Sequence, residues 1–398
     1  MTMSDQTEHS PTKSSVCLVG VGGGALRVLD RYRREGTGQV DFIGFDTDAR
    51  ELERYPDFPS TRLGRSLLRG LGCGGDDEMG RLAADSDRSQ ISEALVGYDL
   101  VVLVGCLGRG FASGALPAIT ALAGETGSPT VAIVSSPFEF EGRRPASVAK
   151  KALGEIRRGA DCVIELPNDL IFQESGESDR ADQLFESSDE WIFRAVSALV
   201  GPLYRRGHMG VDLATFRNAL KGGESRMHFS TCLVPLDGCV EEAAREIYNC
   251  PFRSPGLERV KADRLIVSIG SGGGLSVAAF SELSQALTRL FDSGESAVIG
   301  FWVDESLGDQ VEVTIFARTD LSANVRSRLP EKVTVHRSKL DQKSVRKTRD
   351  RIQTEFDTLL EHNERGLFGR MNVEAYNGVD LDKPTFLRRG IKISMPKS

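Results

Sequence analysis

The sequence predicts an α/β fold: a parallel sheet with helices on both faces, a long central helix, and a smaller α+β domain after it. Apolar runs of four to seven residues alternate with helical patterns in the first half, which is typical of strands buried on both faces. Residues 187–205 then show one uninterrupted helical period. Strand patterns with strong β-propensity follow that helix.

Five apolar runs define the predicted parallel sheet. Each run ends in Gly, Pro, Asp or Asn, and ligands of such sheets bind beyond the carboxyl ends of the strands. The runs lie within residues 16–24, 40–48, 98–108, 130–142 and 162–169.

The helix of residues 187–205 follows a Ser/Asp start, and its apolar residues recur at helical spacing: Trp191, Ile192, Val196, Leu199 and Val200. In the smaller domain, two strands joined through "DESLGD" predict an antiparallel pair packed on helices. Residues 341–362 have the pattern of an amphipathic helix, and the segment after it is expected to be extended.

Composition indicates a soluble globular protein. The chain has 398 residues, of which 40% are hydrophobic and 27% charged, and this length predicts two or three domains. No apolar run approaches the roughly 18 residues of a membrane helix. The seven cysteines are scattered without a C-x-x-C pair, and the five histidines do not cluster with them. We therefore expect reduced thiols in a cytoplasmic protein and no metal site built from protein ligands.

Charge is distributed unevenly along the chain. Residues 331–398 hold 15 Lys/Arg and 10 Asp/Glu, a net charge of +5, whereas the preceding 330 residues hold 35 against 47, a net charge of −12. An acidic body argues against nucleic-acid binding. The basic end either contacts an acidic partner or forms a solvated helix.

The first glycine loop, Gly20 to Ala25, fits G-x-G-x-x-A, and Asp46 ends the next strand. A dinucleotide-binding Rossmann domain has the same arrangement, with the acid on a ribose hydroxyl. The loop alone therefore leaves an NAD-dependent enzyme, or a simple strand-to-helix turn, as alternatives.

Two further glycine loops favour a mononucleoside triphosphate over NAD, because several loops at adjacent strand ends can line a polyphosphate with backbone N–H groups. A P-loop of the form G-x-x-x-x-G-K-[ST] is absent from the sequence. The two loops contribute Gly105, Gly108, Gly110 and Gly114, and Gly70, Gly72, Gly74 and Gly75.

In these loops and several other segments the sequence resembles FtsZ, the bacterial cell-division GTPase of the tubulin/FtsZ superfamily. The matching segments run from about residue 16 to residue 319 in the family's order: "GVGGG", "DTDA", "RGLG", "PFEFEG", "PND", "VDLATF" and "DESLGDQVEVTIFA". The resemblance implies GTP and GDP as ligands with Mg²⁺, head-to-tail filaments, and a cytoplasmic location at the division site.

The resemblance also implies roles for individual residues. The phosphate-contacting positions are Gly22, Gly23, Gly24, Thr47, Asp48, Cys73, Gly74, Gly108, Arg109, Gly110, Ser113 and Gly114. Glu141 corresponds to the ribose-binding glutamate, and the guanine pocket corresponds to Asn168, Phe185 and Asp189. A carboxylate such as Asp189 can accept from guanine N1–H and the 2-amino group together, which adenine does not offer.

The implied domains are a disordered arm (1–14), a nucleotide-binding domain (15–185), the central helix (186–206), a C-terminal domain (207–320), a partly helical basic linker (321–375) and a tail peptide (376–398).

Two departures concern the chemistry. Arg109 and Phe111 stand in the loop that reads GGGTGTG in the family, and Pro145 replaces a basic residue. The family completes catalysis across a subunit interface with the pattern N-x-D-x-x-D, for which this chain has Gly210, Asp212 and Thr215. The expectation is a slow GTPase, with a catalytically silent scaffold paralogue as the alternative.

The tail resembles the FtsZ peptide that binds membrane tethers. This peptide begins at Asp380 and ends at Ile391, and it presents Phe386 and Leu387 beside two arginines. The resemblance implies an FtsA- or SepF-like partner and hence indirect membrane association. Direct binding of anionic lipid by residues 337–351, which hold seven Lys/Arg and two acids, is the alternative.

Overall fold

A computed structural model describes residues 16–174, 180–205, 207–211, 213–220, 225–252, 262–291, 297–320, 375–376 and 379–380. Contacts divide the chain into a unit of residues 1–329 and a unit of residues 330–398. The predicted arm (1–14) and the predicted helix of residues 341–362 lie outside the described residues, as does the tail peptide after Asp380. In the second unit the structure describes a two-stranded pairing of β12 (Ala375–Tyr376) with β13 (Val379–Asp380).

Six parallel strands form the first half of the sheet, in the order β3-β2-β1-β4-β5-β6. All five predicted strands are confirmed, and the short edge strand β3 is an addition that its polar sequence, Ser-Thr-Arg, did not signal. The bounds are β1 Val16–Val21, β2 Asp41–Asp46, β3 Ser60–Arg62, β4 Leu100–Cys106, β5 Thr130–Ser136 and β6 Cys162–Pro167.

Helices cover both faces of these strands, as expected for apolar runs without polar alternation. Strand β1 shows this directly: Val16 and Leu18 belong to a core shared with the helices of residues 23–35 and 181–204. Cys17 and Val19 belong to the opposite core, shared with the helices of residues 88–95, 110–125 and 143–159. The helices are α1 Gly23–Glu35, α2 Ala49–Glu53, α3 Arg65–Leu68, α4 Asp77–Ser86, α5 Arg88–Leu95, α6 Gly110–Glu125, α7 Arg143–Gly159, α8 Asn168–Glu174, α9 Ala181–Tyr204, α10 Leu213–Leu220, α11 Cys239–Asn249 and α12 Val277–Leu290.

The predicted central helix is α9, and it begins at Ala181, six residues before the predicted start. The backbone N–H of Arg180 donates to the Gln183 side chain over 3.1 Å, and this contact caps the helix. The cap lies before the Ser and Asp residues from which the sequence predicts the helix start. The earlier start places Phe185 inside the helix.

Five strands form the second half of the sheet, in the order β8-β11-β9-β10-β7. One residue pair, Ile164 with Met227, joins β6 to β8. The strands are β7 Gly207–Met209, β8 Ser225–Pro235, β9 Arg264–Ser271, β10 Ala297–Val303 and β11 Gln310–Asp320.

The prediction that the two strands flanking "DESLGD" pair with each other is wrong. These strands are β10 and β11, and β9 lies between them. Strand β11 instead pairs antiparallel with both β8 and β9, because its Val311, Val313 and Ile315 enter the core under this half of the sheet. A connection that spans a neighbouring strand cannot be distinguished from a hairpin by local sequence pattern.

Among the described residues, no helix combines the length and the apolar character that a membrane span needs.

Candidate functional site

The predicted binding residues that the structure describes gather at one edge of the first half-sheet. They follow the carboxyl ends of β1, β2, β4, β5 and β6, lie in the loop between α3 and α4, or lie on α9. The carboxyl edge is where parallel sheets bind ligands.

The turn from β1 into α1 is built on Gly22. This residue has φ +87°, a left-handed conformation that favours glycine, and its N–H donates to Phe45 O over 2.9 Å. A Cβ at Gly22 would lie 3.3 Å from the Cβ of Ala112 in α6. The turn therefore holds the first residues of α1, Gly23 and Gly24, beside the first turn of α6.

The N-termini of α1 and α6 share two properties. Among the described residues, neither has a side-chain cap, and neither has an acidic residue in its first turn. Helix α4 differs, since Asp76 caps it and Asp77 and Glu78 occupy its first turn. Uncapped first-turn N–H groups and the positive end of the helix dipole favour a bound anion. Two adjacent N-termini of this kind suit a polyphosphate.

The loop after β2 is ordered by a buried carboxylate. Oδ1 of Asp46 accepts from Thr47 N over 2.6 Å and from Asp48 N over 3.0 Å. Asp46 is only 5% exposed, and burial raises the pKa of its carboxyl group to about 6. This acid, which a Rossmann interpretation assigns to a ribose, is instead used to hold the loop. The Asp48 side chain caps α2 by accepting from Arg50 N over 2.9 Å.

The loop between α3 and α4 lies against the loop after β2. The backbone N–H of Ala49 donates to Gly70 O over 3.1 Å, and the Thr47 hydroxyl lies 3.4 Å from the Cys73 thiol. Burial raises the pKa of Cys73, so the thiol stays neutral and adds no negative charge where an anion would bind. Gly74 follows directly in this loop.

The loop after β4 is closed by Ser113, whose hydroxyl oxygen accepts from the buried N–H of Gly108 over 2.8 Å. Beyond this loop, α6 packs on α4 at backbone distance. A Cβ on Gly110 would lie 2.7 Å from Asp76 N, and one on Gly114 would lie 1.9 Å from Asp77 O. Close packing explains these two glycines, and it fixes the loop after α3 against the N-terminus of α6.

The two unusual residues of this loop point to different surroundings. Arg109 is the residue that precedes α6, its side chain is exposed, and it forms no ion pair with any described residue. Phe111 is buried in the core beneath α6. Arg109 therefore adds a free positive charge beside the uncapped N-terminus of α6.

Glu141 ends a short 3-10 turn after β5, Glu139–Glu141. Its Oε1 accepts from the backbone N–H of Phe138 over 3.0 Å, which leaves its other oxygen available at the strand edge. Pro145 lies next to Gly108.

The predicted base-binding residues meet where β6 and α9 approach each other. Asn168 begins α8, is buried, and accepts from the Ser188 hydroxyl of α9 over 2.8 Å. Phe185 is 40% exposed and packs edge-on against Phe138 at 5.4 Å. Phe140 joins them, stacked on Phe138 at 4.9 Å, so the pocket has an exposed aromatic wall.

Asp189 lies one helical turn after Phe185, but its carboxylate is engaged by Arg27 of α1. Nε of Arg27 donates to Oδ2 over 2.5 Å, and Nη2 donates to Oδ1 over 2.9 Å. No sequence pattern predicted a role for Arg27, because a single arginine on an amphipathic helix does not indicate its partner.

An open cavity of about 890 Å³ lies along α1 and α9. Arg27 and Asp189 line it, whereas Asn168, Phe185 and the glycine loops do not. Most of the charged residues that line this cavity form ion pairs with one another. Arg31 and Arg194, for example, both pair with Glu190. Asp189 is the predicted binding residue that this cavity shares with the strand-edge site. The phosphate-binding loops lie outside the cavity, so we assign the phosphates to the strand edge.

The two predicted catalytic positions do not join this edge in the described structure. Thr215 lies in α10, at the second half of the sheet, and Asp212 lies outside the described residues. The described residues contain no group of three His, Cys, Asp or Glu side chains that could hold a metal ion.

Comparison with known proteins gives a consistent result. The family model described as "Tubulin/FtsZ family, GTPase domain" matches residues 15–176. The cell division protein FtsZ of Coxiella burnetii is 30% identical over 311 residues, which is 77% of this chain and 79% of that protein.

Solved structures agree on the fold. An empty FtsZ dimer from M. jannaschii superposes with a TM-score of 0.72 at 24% identity, covering 78% of this chain and 90% of that one. A GTPγS-bound protofilament of CetZ2 from Haloferax volcanii gives a TM-score of 0.66 at 20% identity, covering 79% and 96% of the two chains.

Proposed function

Because this chain belongs to the tubulin/FtsZ family, we propose that it binds GTP at the carboxyl edge of β1–β6 and assembles into filaments that serve cell division. The observation that carries the proposal is the pair of adjacent, uncapped N-termini of α1 and α6. Their first-turn amides are available for a triphosphate, and the exposed guanidinium of Arg109 adds positive charge there.

The remaining site residues take roles consistent with their positions. One side of the phosphates is lined by the loops after β1 and β2, with Gly22, Gly23, Gly24, Thr47 and Asp48. The other side is lined by the loops after α3 and β4, with Cys73, Gly74, Gly108 and Ser113. Glu141 offers its free oxygen to the ribose, and Phe185 and Asn168 hold the base.

Magnesium fits this donor set only as a companion of the phosphates. Mg²⁺ is commonly held by substrate phosphates and water with one or two carboxylates, and Asp48 offers a carboxylate at this edge. The ion would neutralise phosphate charge, while the amides of α1 and α6 orient the chain of phosphates.

Assembly into filaments is supported by two of the similar structures: the M. jannaschii structure is a dimer and the CetZ2 structure is a protofilament. In a head-to-tail contact, α10 and the residues before it would face the nucleotide of the next subunit. Thr215 stands there in place of a second carboxylate, so we propose slow hydrolysis. A scaffold without hydrolysis is the second candidate, which the same substitution favours.

Sedimentation with GTP, with GDP and without nucleotide tests assembly, and phosphate release from the same samples tests hydrolysis. We expect pelleting with GTP together with slow release, whereas pelleting without any release supports the scaffold.

Calorimetry with GTP and ATP tests the ligand, because a site whose polar groups are left unpaired by the wrong base can discriminate by about 10⁴. Equal affinities would refute selectivity for the guanine base, and binding of neither nucleotide would refute GTP binding.

We also propose that the tail peptide of residues 380–391 recruits the protein to the division site through a membrane-tethering partner of FtsA or SepF type. The support is the apolar pair Phe386 and Leu387 between charged residues. Liposome co-sedimentation of the purified protein separates this from direct lipid binding: strong binding without a partner, removed by neutralising residues 337–351, would favour the lipid.

A further inference from the structure

The ion pair between Arg27 and Asp189 occupies the acceptor atoms that a base would use. Both oxygens of Asp189 accept from the guanidinium, and this hydrogen bonding raises the pKa of Arg27 further, so the pair stays ionised. Two parallel N–H···O contacts of this kind are the strong, directional form of a charge-assisted hydrogen bond. The Asp189 side chain is 23% exposed and the Arg27 side chain is 52% exposed, so both are accessible to a ligand.

A free carboxylate would accept guanine N1–H on one oxygen and the 2-amino group on the other. With Arg27 in place, each oxygen already accepts one hydrogen bond, and the base must share the remaining lone pairs. The guanidinium in turn has N–H groups of Nη1 that no described residue uses. A purine carbonyl at position 6 accepts from such a donor, whereas the 6-amino group of adenine cannot.

We propose that Arg27 sets the base selectivity of this site, so that the pocket recognises the 6-oxo and N1–H edge that guanine shares with hypoxanthine, with little contribution from the 2-amino group. This inference rests on the proposed function, because it requires the base to lie between Asn168, Phe185 and Asp189. The class of ligand is therefore a 6-oxopurine nucleoside triphosphate rather than a guanine nucleotide alone.

The chain offers a matched control one helical turn away. Arg31 also lies on α1 and also pairs with α9, donating from Nη1 to Glu190 over 2.7 Å, but it does not contact Asp189. An Arg31→Met variant therefore removes a comparable interhelical ion pair and leaves the base acceptor as it is.

The test is calorimetric titration of the full chain with GTP, ITP and ATP, for the wild type and the variants Arg27→Met and Arg31→Met. We expect the wild type to bind GTP and ITP within about threefold and ATP far more weakly. Arg27→Met frees both oxygens for the 2-amino group and should raise the preference for GTP over ITP by about tenfold, the value of one hydrogen bond to a charged acceptor. Arg31→Met should keep the wild-type ratio.

A second variant covers the possibility that Arg27→Met does not fold, as judged by its thermal unfolding. Arg27→Lys keeps the charge but cannot hold both oxygens at once, so it should shift the ratio in the same direction. A wild-type preference of tenfold or more for GTP over ITP would overturn the inference, as would an unchanged ratio in both Arg27 variants. Failure of the wild type to bind either nucleotide would instead refute the proposed function itself.

Discussion

Replacing Asp46 by Asn should make the protein more stable at neutral pH and leave it unchanged in acid. The Asp46 carboxylate is buried at the end of β2, and burial raises its pKa from 3.8 to about 6. The folded state therefore binds the proton more tightly than the unfolded state. Asparagine retains an oxygen that can accept from Thr47 N and Asp48 N, so the loop geometry is preserved.

The sign of the effect follows from proton linkage. The contribution of a group with a raised folded-state pKa is fully present below its unfolded pKa, about 4, and is lost as the pH rises through about 6. A shift of about two units corresponds to about 3 kcal/mol at 1.4 kcal/mol per unit. The wild type should therefore lose about 3 kcal/mol of unfolding free energy over this window relative to Asp46→Asn.

Urea unfolding of both proteins at several pH values between about 4 and neutrality measures this difference directly. Asp57→Asn is the matched control, because it makes the same substitution at an exposed position. A stability difference between wild type and Asp46→Asn that does not vary with pH, or that shrinks as the pH rises, would refute the reasoning.

Four further outcomes are expected. Gly114→Ala should destabilise the protein by about 1–3 kcal/mol, because its Cβ would lie 1.9 Å from a backbone oxygen of α4. The control Gly154→Ala has no atom within 4 Å of its Cβ and should stabilise the protein by about 0.5–1 kcal/mol. Equal changes in thermal unfolding for the two variants would contradict the packing argument. Ser113→Ala should cost about 1–3 kcal/mol in urea unfolding because it leaves a buried N–H unpaired, and a neutral result would argue against that hydrogen bond. Thr215→Asp should raise phosphate release by roughly 10²-fold if a missing acid limits turnover, and unchanged release would exclude this. Phe386→Ala should abolish recruitment to the division site in cells while GTP-dependent sedimentation persists, and retained recruitment would argue against the tail peptide.

The parallel half of the fold could be predicted because its signals are local. Each strand is a short apolar run that ends in a turn residue, and a glycine loop follows several of these runs directly in sequence. The same local pattern therefore predicts both that the strands are parallel and that ligands bind at their carboxyl ends. The second half could not be predicted in the same way. Strand order there depends on which long-range pair buries most apolar surface, and the neighbours of β11 are separated from it by other elements.

The candidate site shows the same division between local and long-range information. The position of Gly22 and Thr47 follows from the segments that contain them. The ion pair between Arg27 and Asp189 joins residues 162 positions apart, and the buried environment of Asp46 depends on packing that its own strand does not encode. Sequence could therefore nominate Asp189 as a base acceptor but could not reveal that its acceptor atoms are shared.

The central place of β11 in the second half-sheet constrains the order in which the chain can fold during synthesis. Strands β1 to β6 are complete once residue 167 has emerged from the ribosome, so the edge proposed to bind the nucleotide can form early. Strand β11 contains residues 310–320, yet it separates β8 from β9. Until it is translated, β8 is held to the growing sheet by a single residue pair, and both strands expose an open edge. During that interval the unpaired edges of β8 and β9 are open to incorrect pairing, which the arrival of β11 between them ends.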